Sequence, residues 1–235
     1  MKRAEIIAEI GQNHNGDMEL AKRLISISKE SGADVAKFQV YDAKTLFSEQ
    51  NNSWYSYNCK TELSRNQIHD LANECAKCGI EFMASVFDVE RVNWLEAVGV
   101  KRYKIASRSV RDRPLIERLL ETGKPIIISL GMWDQIEFPQ ITGASSLAFL
   151  YCVSKYPTPL ADVNLRTVDF SRYAGFSDHT IGITASVAAI ALGARIIEKH
   201  FTLDKTFYGP DHEGSMNPEE LVTLCKFAME ITEVL

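Results

Sequence analysis

The sequence predicts a single-domain α/β protein in which eight strand–helix units close into a (β/α)8 barrel. Short apolar runs alternate with helical patterns eight times, which is typical of a parallel sheet built from βα units. The chain has 235 residues, close to the ~250 of a typical TIM barrel. A doubly wound open sheet is the alternative, but residues 11–17 lack the GxGxxG turn that it favours after its first strand. Residues 1–235 are therefore predicted to form one barrel domain.

The first four units have clear helix boundaries. Asp17 is predicted to cap the first helix at its start, and Gly32 to end it. Gly79 ends the second helix, and Pro114 suits the first turn of the fourth. A polar stretch at 41–61 is too long for a plain connection, so we predict a functional loop there. The predicted strands are 4–10, 34–40, 80–86 and 102–107, and the predicted helices are 18–31, 64–78, 89–98 and 113–121.

The last four units are less regular. Two of their helices are weakly patterned, a short one near 133–138 and a poor one near 163–173. The Ala-rich stretch 183–192 and the stretch 218–234 predict full helices. The predicted strands are 125–130, 146–152 and the apolar runs within 175–182 and 196–202.

The composition excludes several classes of function. A net charge of -5 and a pI near 5.6 leave no basic field for nucleic acid or an anionic membrane surface. The first residues lack the apolar region of a signal peptide and no apolar run reaches the length of a membrane span, so we expect a cytoplasmic protein. The five cysteines suit free thiols in a reducing compartment, and the pair Cys75 and Cys78 is interpreted as ordinary helix residues.

Two histidines define a candidate metal site. His179 and His200 each follow a short apolar run, and these runs are predicted to be consecutive parallel strands. Because the carboxyl ends of barrel strands meet at one face, we expect the two imidazoles to lie together there. Neutral imidazole is the commonest protein ligand for divalent transition metals, which favours a metal site. The alternative is that each histidine caps its strand and bonds a nearby carbonyl.

Two lysines within predicted strands favour an anion-binding pocket. Burying an unpaired ammonium group is strongly unfavourable, so Lys37 and Lys104 are expected to point into the barrel mouth toward an anion, with serine hydroxyls completing a phosphate cradle. Two alternatives stay open: pairing with Glu9 or Glu198 in a barrel-filling network, or a Schiff-base lysine as in barrel aldolases. The polar residues collected at the predicted strand ends are Glu9, Asn13, His14, Lys37, Gln39, Ser85, Lys104, Ser107, Ser129, Ser154, Tyr156, Ser177, His179, Glu198, His200 and Asp211.

Several short segments together resemble the motifs of one enzyme family. They are AEIGQNHNG at 8–16, ADVAKFQ at 33–39, YKIAS at 103–107, YPTP at 156–159, FSDHT at 176–180, EKHFT at 198–202, GPD at 209–211 and SMN at 215–217. The chain resembles the sialic acid synthase (N-acetylneuraminate synthase) family from about Ile6 to its end. The resemblance implies the same eightfold barrel and a phosphoenolpyruvate-dependent transferase that forms a carbon–carbon bond. Its substrates would be phosphoenolpyruvate and an N-acetylmannosamine-type sugar or its 6-phosphate, and its products a nine-carbon 2-keto acid and phosphate.

The resemblance also implies roles for individual positions. His179 and His200 match the family's two protein ligands for a divalent metal, Mn²⁺ or Mg²⁺, which would polarise the aldehyde oxygen of the open-chain sugar. Glu9 matches the catalytic carboxylate, while Lys37 and Lys104 would stabilise the leaving phosphate. The other matched positions are Ser85, Ser107, Ser129 and Ser177 on the phosphoenolpyruvate side and Gln39, Tyr156 and Asp211 on the sugar or metal side, with Ser154 added as substrate-binding.

The sequence departs from the family pattern around the expected sugar pocket. At Arg108 and Ser109 the family usually has a small residue followed by an acidic one, and Ser154 stands where an amide is common. The family barrel normally continues into a small antifreeze-like domain that lends an arginine to the neighbour's sugar pocket in a swapped dimer. We expect this chain, which stops at Leu235, to lack that domain, and a homodimer is left open. The phosphoenolpyruvate and metal positions are unaffected by these departures.

Three hypotheses about function follow. The first is the metal-dependent synthase that the resemblance implies. The second is a barrel that binds phosphoenolpyruvate or a sugar and needs a separate antifreeze-like partner chain for activity. The third is a lysine-dependent aldolase, which needs no metal and leaves the two histidines without a role.

Overall fold

The computed structural model of the protein describes residues 3–235 and shows a closed barrel. Within that range, eight parallel strands pair in sequence order, and the last strand pairs back onto the first. The predicted fold class is therefore confirmed. The strands are β1 (Glu5–Gly11), β2 (Val35–Val40), β3 (Glu81–Val86), β4 (Tyr103–Ile105), β5 (Ile126–Ser129), β6 (Leu147–Cys152), β7 (Gly175–Asp178) and β8 (Ile196–His200).

The helices begin and end largely where the sequence predicts. Asp17 caps the first helix by accepting hydrogen bonds from the backbone N–H groups of Glu19 and Leu20. Ser64 caps the longest helix of the first half, and Gly79 ends it with a φ of 68° in the left-handed region. Among the described residues the helices are α1 (Met18–Glu30), α2 (Ala43–Leu46), α3 (Tyr55–Thr61), α4 (Arg65–Cys78), α5 (Val89–Ala97), α6 (Arg113–Glu121), α7 (Thr184–Ala191) and α8 (Pro218–Val234).

Two predicted helices are wrong. Residues 133–138 form bends without a helix, and Trp133 instead donates its indole N–H to the carbonyl of Glu137. Residues 163–173 contain one 3-10 turn, Leu165–Thr167, followed by a tight turn in which Asp169 accepts the backbone N–H of Ser171. In both segments, side chains that hydrogen-bond locally or anchor on the core replace a regular helical face.

The predicted loop at 41–61 is partly helical, because it contains α2 and α3. A buried arginine of α5, Arg91, fixes both ends of this segment. Its guanidinium lies 3.3 Å from a carboxylate oxygen of Asp42 and 3.2 Å from one of Glu62. The segment is therefore pinned to the barrel wall at its two ends and lies across the carboxyl face between them.

Alternation along the strands divides the barrel interior into two layers. Every second residue of a strand points to the same side, so one face of each strand fills the interior. The lower layer is apolar and consists of Ile7, Val35, Met83, Ile127 and Leu150. The residues two positions further along the same strands are Glu9, Lys37, Ser85, Ser129 and Cys152, all buried.

A larger apolar cluster lies between the outer faces of the strands and the helices, with Phe38, Leu71 and Leu224 among its fully buried members. Burial of such side chains stabilises the fold by roughly 25 cal/mol per Å² of apolar surface removed from water. Within residues 3–235, none of the helices combines the length and the apolar character that a bilayer crossing requires.

Candidate active site

Strand register brings the predicted residues together at the carboxyl face. Glu9 on β1 is the register partner of Lys37 on one side and of His200 on the other. Ser85 on β3 is the partner of Lys104 on β4. These side chains surround one cavity, called the inner pocket here. The predicted residues that line it are Glu9, Lys37, Gln39, Ser85, Lys104, Ser107, Ser129, Tyr156, Ser177, His179, Glu198 and His200.

A second, larger cavity of about 630 Å³ adjoins the inner pocket and is called the outer cavity here. The two cavities share lining residues, including Tyr156 and His200. Of the strand-end residues that do not line the inner pocket, Ser154 and Asp211 line this cavity, whereas Asn13 and His14 line neither. Most of its wall comes from loops and from the 41–61 segment, through Gln12, Leu46, Phe47, Asn52, Trp54, Asn58, Phe87, Ala106, Arg108, Met132 and Pro210.

The two lysines point into the inner pocket and form a chain of ion pairs with two glutamates. The Nζ atom of Lys37 lies 2.6 Å from Oε2 of Glu9 and 3.5 Å from Oε2 of Glu198. The Nζ atom of Lys104 lies 3.5 Å from Oε1 of Glu198. Lys37 also donates a hydrogen bond of 2.9 Å to Ser85 Oγ. Both features considered from the sequence are therefore present: the lysines face the cavity, and they pair with acids.

The charged side chains of this ion-pair network are not equally compensated by their partners. Burial alone would raise the pKa of Glu198, but Lys104, Lys37 and the Ser177 hydroxyl outweigh it and lower that pKa to about 2. The pKa of Lys37 is raised, because its two glutamate partners outweigh burial. The pKa of Lys104 is lowered, because burial outweighs its attraction to Glu198 and Lys37 lies nearby. Lys104 therefore gains most when an anion enters the pocket.

Serine hydroxyls form a cradle beside Lys104. Ser107 Oγ accepts a 3.0 Å hydrogen bond from the backbone N–H of Gly131. The buried hydroxyl oxygens of Ser129 and Ser154 have no hydrogen-bond partner within residues 3–235. A Cβ atom at Gly131 would overlap Ser154 Oγ and lie 2.9 Å from the sulfur of Cys152. The missing side chain at Gly131 thus keeps open a space lined by hydroxyl groups, the kind of lining that a phosphate oxygen accepts.

The two histidines lie side by side at the rim of the inner pocket. Their ring centroids are 5.8 Å apart and the rings are inclined by 40°. His179 Nδ1 is 3.0 Å from the carbonyl oxygen of Val153, which can only accept, so Nδ1 carries the proton and Nε2 keeps its lone pair. The tyrosine ring of Tyr156 packs against His179 at a centroid distance of 4.2 Å.

This donor set fits a divalent cation held by two imidazoles. A carbonyl that orients one ligating histidine is the usual outer-shell arrangement of protein metal sites. Nδ1 of His200 is buried and lacks a partner in the described part of the chain. Within residues 3–235, no third His, Cys, Asp or Glu completes an all-protein site. Solvent or substrate oxygens would therefore supply the remaining ligands, as in open catalytic sites.

Sequence reasoning left three residues of the site without a role. Glu198 was collected with the strand-end residues, but the one role considered for it was as a partner of the lysines; alternation along β8 places it on the same face as His200. Cys152 was treated as an ordinary thiol, but the same alternation from Leu150 points it into the inner pocket, 3.8 Å from His179 Nδ1. Arg108 was noted as a departure from the family pattern, and it lines the outer cavity.

The chain is a closed βα barrel whose carboxyl face carries buried ammonium groups, a hydroxyl cradle and a histidine pair. Enzymes with this fold have their active sites at that face. Comparison with known proteins gives the family. The NeuB family model matches residues 24–235, and the chain belongs to this family. The resemblance to the sialic acid synthases that the motifs predicted is confirmed.

Several relatives have names that indicate their products. The chain is 38% identical over 261 residues to the N,N'-diacetyllegionaminic acid synthase of Campylobacter jejuni, covering 100% of this chain and 78% of that protein. It is 37% identical to the human N-acetylneuraminate-9-phosphate synthase, covering 94% of this chain and 68% of that protein. A crystal structure of the N-acetylneuraminic acid synthetase from Leptospira borgpetersenii, in complex with citrate, superposes with a TM-score of 0.89 at 32% identity, covering 99% and 85% of the two chains.

Proposed function

We propose that the protein condenses phosphoenolpyruvate with an N-acetylmannosamine-type aldose to give a sialic-acid-like nine-carbon 2-keto acid and phosphate. The observation that carries this proposal is the inner pocket itself. It combines two buried ammonium groups, a hydroxyl cradle and a histidine pair on neighbouring strand ends. Membership in a family whose relatives include an N,N'-diacetyllegionaminic acid synthase and an N-acetylneuraminate-9-phosphate synthase supports the same reaction.

Phosphoenolpyruvate would bind by replacing part of the ion-pair chain. Its phosphate would form an ion pair with the ammonium group of Lys104, whose positive charge the single carboxylate of Glu198 compensates incompletely. The unpartnered hydroxyl of Ser129, which lines the same pocket as Lys104, would donate to a phosphate oxygen, and Lys37 would attract the substrate carboxylate. In the reaction, C3 of phosphoenolpyruvate forms a bond with the aldehyde carbon and water adds at C2. The C2–O bond to phosphate then breaks, and Lys104 stabilises the departing charge.

The histidine pair would hold Mn²⁺ or Mg²⁺ next to the acceptor. When bound, such an ion supplies Lewis-acid polarisation of the acceptor carbonyl. The protein's own contribution is to orient His179 through the carbonyl of Val153 and to cover its ring with Tyr156. Gln39 and Asp211 line the outer cavity beside His200 and would bind hydroxyl or amide groups of the sugar.

Glu9 is placed to move a proton between the acceptor and the pocket. Its Oε2 lies 2.6 Å from Lys37 Nζ, and its Oε1 accepts a 3.1 Å hydrogen bond from Gln39 Nε2. Glu9 is also the register partner of His200, so its carboxylate lies beside the histidine pair. We assign it to accept the proton that the water loses on adding at C2 and to pass a proton to the oxygen of the acceptor aldehyde, which balances the two steps.

The proposal is tested by incubating the protein with Mn²⁺, phosphoenolpyruvate and one of three acceptors: N-acetylmannosamine, its 6-phosphate or a diacetamido-dideoxy relative. We expect equal amounts of phosphate and 2-keto acid with at least one acceptor, and loss of both products in EDTA. No product with any acceptor at saturating metal would overturn the proposal. If calorimetry then showed phosphoenolpyruvate binding that a supplied antifreeze-like domain converts to turnover, the partner-dependent alternative would be supported.

A lysine-dependent aldolase is the second candidate, and the lowered pKa of Lys104 favours it. Borohydride reduction in the presence of pyruvate would then add the mass of the reduced adduct to a peptide containing Lys104. We expect an unmodified peptide, because Lys104 lies beside Glu198 in the ion-pair chain.

A further inference from the structure

The outer cavity has a simple charge pattern. Among its described lining residues, Arg108 carries the one formal positive charge and Asp211 the one negative charge, with His200 as the titratable neutral group. The remaining lining side chains are apolar, aromatic, hydroxyl or amide groups. Recognition of a charged group in this cavity therefore depends on Arg108 or Asp211.

Arg108 is held in place without a carboxylate. Its guanidinium carbon lies 5.2 Å from the centroid of the Phe47 ring, a cation–π contact, and its Nη2 donates a 3.3 Å hydrogen bond to the carbonyl of Leu46. Both partners lie at the end of α2, in the segment that forms the cavity wall. No carboxylate of the described residues lies within ion-pair distance of Arg108.

Two other arginines show what the fold does with a buried guanidinium. Arg91 pairs with three carboxylates, including Asp42, and Arg102 pairs with Glu5 and Glu81. Arg108 differs from both, because its side chain remains exposed to solvent, although partial burial lowers its pKa, and no carboxylate of the described residues pairs with it. A guanidinium has five N–H donors, and the hydrogen bond to the Leu46 carbonyl occupies one of them. The other N–H donors are available to a ligand in the cavity.

A planar guanidinium fixed in this way binds carboxylate or phosphate oxygens bidentately and gains much less from a neutral hydroxyl. Phosphoenolpyruvate bound by Lys37 and Lys104 does not account for Arg108, because Arg108 lines the outer cavity and is absent from the lining of the inner pocket. The remaining ligand is the acceptor, whose aldehyde would lie near His200 in the same cavity.

We propose that the acceptor sugar carries an anionic group, a phosphate or a carboxylate, at the end remote from its aldehyde, and that Arg108 binds this group. The inference rests on the proposed condensation and names the substrate class of the same site. Arg108 is a specificity-determining residue in this account, and Phe47 and Leu46 position it.

The test compares kcat/KM for three acceptors that differ at C6: N-acetylmannosamine, its 6-phosphate and the corresponding 6-carboxylate. For the wild-type protein we expect at least one anionic acceptor to exceed the neutral sugar by about 30-fold or more, the size of a charge-assisted contact. The better of the two anions identifies the source of the charge. In Arg108→Gln we expect the anionic-to-neutral ratio to fall at least about tenfold through KM, and in Arg108→Lys to recover part of it.

The matched control is Arg111→Gln, three residues away, which pairs with Asp134 and lies outside the outer cavity. It should leave the anionic-to-neutral ratio unchanged. Preference of the wild type for the neutral sugar, or equal losses for all acceptors in Arg108→Gln, would overturn the inference while leaving the condensation intact. Absence of product with every acceptor would instead overturn the proposed function. Calorimetric titration with the 6-phosphate gives a second readout, because Arg108→Gln should weaken its binding without turnover being measured.

Discussion

The inner pocket and the outer cavity are built in different ways. The charged groups of the inner pocket stand on strands and are neighbours in the barrel register, as Glu9 and Lys37 are. Of the charged groups of the outer cavity, Arg108 lies in the short 3-10 helix Ser107–Ser109 that follows β4, and Asp211 lies in a loop. Neither has a register partner within the described strands. The positions of the inner groups follow from the hydrogen-bond ladder of the barrel, while those of the outer groups depend on how each loop is held.

This difference suggests that the two cavities have different functions in the reaction. A rigid inner pocket suits the part of a reaction that is the same for every substrate, because preorganised charges stabilise a transition state best. A wall made of loops can change its side chains without disturbing the barrel, which suits selection among acceptors. Variants of the inner pocket should therefore affect all acceptors alike, and variants of the outer cavity should affect them differently.

The largest effect is expected for Lys104→Met. Loss of the ammonium group should lower kcat/KM by roughly 10³-fold, and by the same factor for every acceptor, because the phosphate side is common to all. Thermal stability should fall as well, because the variant leaves the buried carboxylate of Glu198 with one ammonium partner, Lys37, instead of two. Kinetics with two acceptors and thermal unfolding check both points.

The exposed Lys101, which precedes β4, is the matched control, and Lys101→Met should behave as wild type in both assays. A loss confined to one acceptor in Lys104→Met would show that the inner pocket also selects the sugar. The proposed separation between the two cavities would then be wrong.

A smaller effect is expected when one histidine of the pair is replaced. In His200→Gln we expect Mn²⁺ affinity to fall by at least the roughly 10–100-fold that changes around a metal ligand cause. Electron paramagnetic resonance of free Mn²⁺ measures this without turnover. His69→Gln, on the exposed face of α4, serves as the control. Equal Mn²⁺ binding in wild type and His200→Gln would show that the pair does not hold the ion.

The hydroxyl cradle predicts a third effect, smaller again. The added methyl of Gly131→Ala would overlap Ser154 Oγ, so we expect KM for phosphoenolpyruvate to rise about tenfold through overpacking. At Gly214 a Cβ would lie 3.7 Å from Pro157 Cβ, an ordinary contact, which makes Gly214→Ala the comparison. An unchanged KM in Gly131→Ala would place the phosphate elsewhere.

The sequence predicted the inner pocket far better than the outer cavity, for a physical reason. Two-residue alternation and strand order are local patterns, and closure of the barrel then converts them into contacts, as for Lys37 and Glu9. The same patterns did not indicate which interior charges would pair. That depends on distances across the barrel, such as the 3.5 Å between Lys104 and Glu198.

The outer cavity escaped prediction because tertiary contacts determine its wall. The 41–61 segment contains α2 and α3, but Arg91 of α5 fixes it through carboxylates at its two ends. The position of Arg108 depends in turn on the end of α2. The absent helix at 133–138 has the same origin, since isolated short helices are marginal and a few core anchors such as Trp133 suffice.

Acid should weaken the support of the outer cavity before it affects the inner network, which is the smallest effect expected. His14 lies in the loop that also carries Gln12 of the cavity wall, and its Nδ1 accepts the backbone N–H of Gly16 at 3.1 Å. Burial lowers the pKa of His14 to about 4, against an ordinary 6.5, although Asp17 opposes the shift. The unfolded chain therefore binds the extra proton first, and stability falls as the pH drops from about 6.5 to 4.

The cost at pH 5.5 is about 1 kcal/mol for this one group. The pKa of Glu198 is lowered to about 2, so its contribution is fully present above its ordinary value near 4.5 and is lost only as the pH falls toward 2. The contributions of His14 and Glu198 are separated by measuring the free energy of unfolding at pH 7 and 5.5 for the wild type, His14→Gln and Glu198→Gln. We expect His14→Gln to lose about 1 kcal/mol of the pH dependence and Glu198→Gln to retain it. The reverse result would mean that the inner network responds to mild acid and that the loop carrying His14 does not.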